Sequence, residues 1–330
     1  MAKAVIQILC GGRIQEPAVL EGITLERTRA CEPSKLSFTC IKDREVGEQG
    51  WAEGGLSFSE GSQVKFLYGD VEMFFGYVFE KRRNKDHHIE VTCYDQLRYL
   101  KNKENYVFTG VRLDQIVRRI AEDLEVPVGS ITQTNYVIPK FAMIDTSLMD
   151  IVNEGIGLTV ANTATRYILY DDFGKLCLKS QDEMMLDLLI DKDTFEDFDY
   201  ASTINDNVYN QIVVKQGDGK EPYVLNDYKS QQYWGILQTI VDSQDGNNAK
   251  QLAKLILEDH CQVSRSLSVN GHFGDVRVRG GSGVYVDHSM LGDMKPQIQK
   301  MWVERVTHTF NQNDHYMDLT LTDGRGFFSE

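Results

Sequence analysis

The sequence predicts a β-dominated α+β chain. Two antiparallel β domains are separated by an α/β module, and a smaller helix-strand piece is inserted in the second. Three observations predict it. Apolar and polar residues alternate with period two through the first hundred residues and again beyond about residue 200. Between those stretches the period becomes helical, first at Leu113 and then at Leu148. Short Gly, Asp and Asn turns punctuate the alternating runs. Period two marks a strand with one wet face, and such strands suit an antiparallel barrel or sandwich. The expected domains are 1–104, 105–200, 201–241 together with 297–330, and the insertion 242–296.

In the first domain, strand-like runs lie at 4–10, 20–28, 36–41, 64–68, 71–81 and 89–94. Leu36, Phe38 and Cys40 alternate with Ser37 and Thr39, and Val64, Phe66 and Tyr68 flank Lys65. Tyr68-Gly69-Asp70 and Asn84-Lys85-Asp86 are turn signals. Trp51 stands in a polar, glycine-bearing run, either as a contact anchor or folded back on its own domain. The basic cluster Lys81-Arg82-Arg83-Asn84-Lys85 falls at an expected hairpin tip. It reads as a solvated loop, with a docking patch for an acidic surface as the sharper alternative.

The module 105–200 opens with Leu113, Ile116, Val117, Ile120 and Leu124 on one helical face, and Pro127 closes that helix. Asp145, Thr146 and Ser147 can cap a second helix, with Asp150 three residues after Ser147. Leu148, Ile151, Val152 and Ile156 follow at helical spacing, although Gly155 and Gly157 each weaken the helix by about 1 kcal/mol relative to alanine. Tyr167 to Tyr170 and Leu176 to Leu178 then flank Asp171-Asp172-Phe173-Gly174, which predicts a tight hairpin. Beyond residue 200 the β pattern returns. Val208 to Val214, Tyr223 to Leu225 and 230–240 with Trp234 are assigned to the second β domain. A clean helix at 249–261 and short strands at 267–269, 276–279 and 284–286 come next. A closing hairpin pairs 301–309 with 315–322.

Composition narrows the function. The 330 residues carry 49 acidic and 35 basic side chains, a formal charge of −14, which opposes general nucleic-acid affinity. No apolar run approaches the ~18 residues of a membrane span. The apolar start is interrupted by Gln7, and Leu9 before Cys10 is not small, so it reads as a first strand and not a lipoprotein signal. Six scattered cysteines, without a CxxC pair, read as reduced core thiols of a chain that folds in a cytoplasm.

No active site can be assembled. The run Asp191, Asp193, Glu196, Asp197, Asp199 starts like a calcium loop, but Glu196 replaces the sixth-position glycine and Ser202 the twelfth-position glutamate. Gly280-Gly281-Ser282-Gly283 precedes a strand, not a helix, and reads as a turn. Gly155 and Gly157 lack the third glycine of a dinucleotide loop. His308 and His315 flank a turn and can approach each other across it, as two partly buried or capping histidines in preference to a metal pair. There is no GxSxG. The expected lists of catalytic, cofactor and metal residues are empty.

The ordered landmarks resemble tail hub proteins of contractile phages and phage-like particles, in the XkdQ/YqbQ-like group of defective-prophage and R-type bacteriocin tails. The resemblance rests on Asp145-Thr146-Ser147-Leu148-Met149-Asp150-Ile151, the hairpin from Arg166-Tyr167-Ile168 to Gly174-Lys175-Leu176, and Asn207-Val208-Tyr209-Asn210-Gln211-Ile212. It continues through Tyr233-Trp234-Gly235-Ile236-Leu237-Gln238, Ala249-Lys250, Val306-Thr307-His308-Thr309-Phe310 and His315-Tyr316-Met317-Asp318-Leu319. Gly155 and Gly157 depart from its usual helical stretch.

The resemblance implies two tube-type β-barrels per chain and a homotrimer. It makes the chain a structural protein, the hub that adapts a six-fold tail tube to a three-fold spike around a central channel. Implied partners are a second and third copy, the tail tube or tube-initiator protein, the spike, a LysM-bearing tail protein, the tape-measure protein and the baseplate wedge. Specific nucleic-acid binding and stable membrane association are not expected. It further implies assembly in the bacterial cytoplasm and residence in a virion or particle baseplate after release. Trp51, Arg82, Arg83, Trp234, His308 and His315 are the interface candidates. Two other classes stay open. A tail-associated cell-wall hydrolase would digest peptidoglycan, and a carbohydrate- or surface-binding β-protein would bind glycans as a monomer.

Overall fold

The alternating stretches of the first hundred residues are strands in the computed structural model, which describes residues 2–41, 58–85, 88–205, 207–216, 220–242, 249–291, 298–311 and 314–323. They are β1 (Ala4–Cys10), β2 (Arg13–Gln15), β3 (Ile23–Thr28), β4 (Lys35–Ile41), β5 (Gln63–Tyr68), β6 (Val71–Arg83) and β7 (His88–Tyr94). Every second residue points inward, so Leu25, Leu36, Phe38, Val64, Phe66 and Val91 fill one core. Trp51 lies outside the described residues.

A 3-10 turn at Gln96–Lys101 leads into β8 (Lys103–Val111), α1 (Leu113–Asp123), β9 (Val128–Ile131), β10 (Ile138–Ser147), α2 (Leu148–Thr163), β11 (Tyr167–Asp171) and β12 (Leu176–Ser180). Ser147 caps α2 by accepting the Asp150 N–H at 3.1 Å. The helix runs unbroken past Gly155 and Gly157 to Thr163. A methyl at Gly155 would stand 3.1 Å from Leu113 Cδ1, so this glycine lets α1 and α2 approach closely. The two helices, β11 and β12 share a second core containing Leu113, Ile116, Ile151, Val152, Leu169 and Leu178.

The rest of the chain is β13 (Met185–Ile190), β14 (Asp197–Thr203), β15 (Gln211–Lys215), β16 (Tyr223–Asn226), α3 (Tyr228–Trp234), β17 (Gln238–Asp242), α4 (Ala249–His260), β18 (Ser264–Phe273), β19 (Gly283–Asp287), β20 (Ile298–Phe310) and β21 (His315–Thr322). Its organisation differs from the sequence expectation in three places. The stretch 230–240 is not one strand. Asp227 caps α3 through the Lys229 and Ser230 N–H groups, and only then does β17 begin. No strand forms at 276–279, because Asp275 accepts the Arg277 N–H and the Val278 N–H closes on the Asp275 carbonyl. Finally, β15 to β17 pair among themselves and lean on α4 through Ile212, Val214, Leu252, Ala253 and Ile256. By contrast β18 and β19, expected in the insertion, join the large sheet, as do β13 and β14 at the end of the expected α/β module. The swap follows from burial. The apolar face of α4 needs a short sheet to cover, and β15 to β17 supply it.

The large sheet has 13 strands, with β14, β18, β21, β20, β3, β4, β7, β6, β5, β1 and β2 as neighbours along its path and β19 and β13 branching from β20. Within it the same unit occurs twice. In the first half β1 pairs with β5, β5 with β6, β6 with β7, β7 with β4 and β4 with β3. Replacing these by β13, β19, β20, β21, β18 and β14 reproduces every pairing. The register matches too. Val78 opposite Cys93 and Glu80 opposite Thr92 skip Phe79, as Val303 opposite Leu321 and Arg305 opposite Thr320 skip Glu304. The turns before β5 and β19 are superposable in their bonds. Gly61 N–H donates to Val78 O and Val78 N–H to Ser62 O, while Gly281 N–H donates to Val303 O and Val303 N–H to Ser282 O. The units differ in their first strand, since β1 runs antiparallel to β5 and β13 parallel to β19, and in two local register shifts, at Phe66/Leu67 in the first unit and between Val269 and His272 in the second.

Candidate functional site: the joint between the two β units

The two units meet where β20 pairs antiparallel with β3, from Arg305 opposite Thr28 to Phe310 opposite Ile23. The skipped residue Glu304 reverses the alternation of β20, so Met301 and Val303 face inward before it and Val306, His308 and Phe310 after it. One strand therefore feeds two cores. Met301, Val303 and Val306 pack with Leu267, Val269 and Leu319, whereas Phe310 enters the first core edge-to-face with Phe66 at 4.8 Å. Cross-strand charges line the joint. Glu26 meets Arg305 at 3.3 Å, and Arg29 meets Glu304 at 2.6 Å.

The α/β module locks this seam. The β11–β12 hairpin tip lies against the loop before β19, where Arg279 donates to the Asp171 carbonyl at 3.3 Å and the Asp172 carboxylate at 3.0 Å. The same guanidinium sits over the Tyr170 ring at 4.5 Å. Two glycines let these two segments lie close against the first β unit. A Cβ at Gly280 would fall 2.1 Å from the Thr28 carbonyl carbon, and one at Gly174 2.5 Å from the Phe75 ring. Beneath them Arg27 is buried and donates to the Met73 carbonyl. Burial, reinforced by Arg279, pulls its guanidinium down to about 9. Burial also holds the Asp95 and Asp171 carboxyls above the ordinary carboxylate range, and for Asp171 the neighbouring Asp95 adds to it. Asp95 accepts the Ser34 and Leu97 N–H groups, and Asp171 that of Gly174. The buried groups come from the first β unit and the α/β module, and the half-buried Arg279 adds a charge from the second unit. Such groups are tolerated only where partners and hydrogen bonds compensate their desolvation.

His308 and His315 come together at the far end of the seam. His308 Nε2 lies 2.9 Å from the Val278 carbonyl, and its Nδ1 lies 2.9 Å from His315 Nε2. The neutral pair satisfies both contacts when His308 donates to Val278 and accepts from His315. Burial, then Arg27 and His315, hold His308 well below its ordinary value. Burial lowers His315 to about 4. His315 stacks on Phe310 at 4.2 Å. Among the described residues no group of three His, Cys, Asp or Glu side chains is placed to hold a metal ion.

The other candidates lie apart from the joint. Arg82 and Arg83 end β6 at the surface, with Arg82 2.7 Å from Glu80. Trp234 is half-buried at the end of α3, beside Tyr233, which is 79% exposed. Sequence reasoning did not select Arg27, Asp95 or Arg279. The available signal was the pair of glycine turns at 171–174 and 280–283, which proved to be the surfaces that meet. The joint ties the three modules together through strand pairing, ion pairs and close backbone contacts. Its polar groups face one another and not a cleft.

The YQBQ-like family model matches residues 23–322. The phage-like element PBSX protein XkdQ of Bacillus subtilis (strain 168) is 30% identical over 312 residues, covering 92% of this chain and 93% of its own. A 43 kDa tail protein of prophage MuSo2 from Shewanella oneidensis has a TM-score of 0.68 at 13% identity, covering 97% of each chain. A tail protein from Neisseria meningitidis gives a TM-score of 0.69 at 12% identity, covering 98% of this chain and 97% of that one.

Proposed function

The chain belongs to the YQBQ-like family, and on that footing we propose that it is the structural hub of a contractile tail baseplate. The observation that carries this reading is the β unit that occurs twice in one chain with the same pairing and register. Each unit is taken as a tube-type barrel. Three copies would then offer six similar units to a six-fold tube while keeping three-fold symmetry for a spike below. The strand-paired joint suits this task, because a hub must transmit contraction without the two units shearing apart. Partners on this reading are further copies of the chain, the tube or tube initiator, the spike, and the neighbouring tape-measure, LysM-bearing and wedge proteins. It resides in the tail of a phage or bacteriocin-like particle, after assembly in the bacterial cytoplasm. With a charge of −14, the ring is expected to present an acidic channel.

Light scattering of the purified chain, alone and mixed with its spike, tests the assembly. A mass near three times 37.6 kDa supports a trimer, and a persistent monomer in both samples refutes it. Imaging of whole particles tests the channel, and a neutral or basic lumen would remove that part of the proposal.

A further inference from the structure

The repeated unit leaves one difference unexplained. In the first unit the outer edge of β3 is covered by β20, and the strand alternates between buried and half-buried residues. Its equivalent in the second unit is β14, which pairs with β18 on one side and, among the described residues, carries no strand on the other. Most of its residues are exposed, including the aromatic Phe198. An uncovered strand edge with an apolar side chain is a template for another strand.

The complementary edge is also present. The equivalent of β20 is β6, whose first half is flanked by β5 on one side, while β7 pairs its second half on the other. Among the described residues, the edge of Glu80 to Arg83 facing away from β7 carries no strand. It is the position that β3 occupies on β20. Charge agrees with shape. The free edge of β14 carries Asp197 and Asp199 after Glu196, and the free part of β6 carries Lys81, Arg82 and Arg83 before Lys85. Glu80, which lies beside Arg82, and Glu90 offset part of that positive charge.

We infer that β14 of one copy pairs antiparallel with the second half of β6 of another copy, repeating between molecules the β3–β20 joint found within one. The register follows by substitution. Thr28 opposite Arg305 becomes Thr203 opposite Glu80, Glu26 opposite Thr307 becomes Ala201 opposite Arg82, and Thr24 opposite Thr309 becomes Asp199 opposite Asn84. Asp199 then lies diagonal to Arg82, within reach of a long side chain. The interface is heterologous, joining the second unit of one copy to the first unit of the next, so it closes only as a ring. One position sets a limit. Glu60 stands where Gly280 lets Thr28 approach, so the intermolecular seam opens at its Thr203 end and is tightest near Asp199. This inference rests on the reading of the chain as an oligomer given above.

The test is a cysteine pair, Ala201→Cys with Arg82→Cys, in a full-length chain carrying Cys10→Ser and Cys261→Ser, oxidised across a concentration series with and without the spike. Residues directly opposite in an antiparallel pair are close enough for a disulfide. Intermolecular cross-links to dimers and trimers are expected. The out-of-register pair Ala201→Cys with Lys85→Cys is expected to give none. Charge reversal adds an independent arm. Asp199→Lys and Arg82→Glu should each weaken self-association roughly tenfold or more, and the double reversal should recover most of it. A trimeric mass without the in-register cross-link overturns the strand pairing and leaves the hub reading standing. A chain that stays monomeric and uncross-linked in every sample overturns both.

Discussion

The first and second β units share strand order, most of their register and the bulge in their longest strand, yet among the described residues only one has its outer edge covered by a strand. Leu25 on β3 is fully buried because β20 covers it. Tyr200, at the corresponding place on β14, is half-exposed. Backbone hydrogen bonding therefore fixes what the units have in common, and the neighbour at the edge fixes what each side chain experiences. Identical topology does not give identical energetics.

The sharpest way to break this comparison is to truncate the matched pair. Leu25→Ala should cost about 2–5 kcal/mol, the range for an aliphatic side chain removed from a close-packed core. Tyr200→Ala should cost about 1 kcal/mol or less in the isolated chain. Urea denaturation measures both, and equal losses would mean that the two edges are equally covered. Next in size is the turn before β19. Gly280→Ala places a methyl against the Thr28 backbone and should cost about 1–3 kcal/mol, whereas Glu60→Gly at the equivalent turn should change stability by about 0.5 kcal/mol or less. The smallest effect is a pH dependence confined to the joint. His308 and His315 both titrate below their ordinary value in the folded chain, so their contribution is complete above about pH 6.5. It is lost as pH falls through that value toward about 4. Protonation sets two N–H groups against each other, next to Arg27. Thermal melts between pH 7.5 and 4.5 should show a loss of about 1–2 kcal/mol that shrinks in His315→Gln, which retains a donor without the titration.

Much of this was legible in the sequence. The residues of β4, β5, β7, α1 and α2 and the hairpin at Asp171-Asp172-Phe173-Gly174 could be read from spacing, caps and turn residues, because those signals act within a few positions. His308 and His315 could be paired because a short turn separates their strands. Other features could not be read. The repeat leaves few side-chain traces, among them Gly61-Ser62-x-Val64 against Gly281-Ser282-x-Val284 and Leu36-Ser37 against Leu267-Ser268. A ladder is made by main-chain groups that any residue but proline supplies. Arg27, Asp95 and Arg279 gave no signal, since each is an ordinary polar residue until burial surrounds it.

The sequence by itself determined that β structure dominates, where α1, α2, α4, the hairpin after α2 and several strands lie, and which family the ordered landmarks resemble. These follow from periodicity and local hydrogen-bonding chemistry. Only the tertiary structure decided that β15 to β17 belong with α4, that β18 and β19 belong to the large sheet, and that β3 is joined to β20. It also decided that the hairpin tip at Asp171 reaches the glycine loop at Arg279. Those choices lie between segments far apart in the chain. They depend on which apolar faces can cover one another and which backbone edges remain unpaired, and no local pattern encodes either.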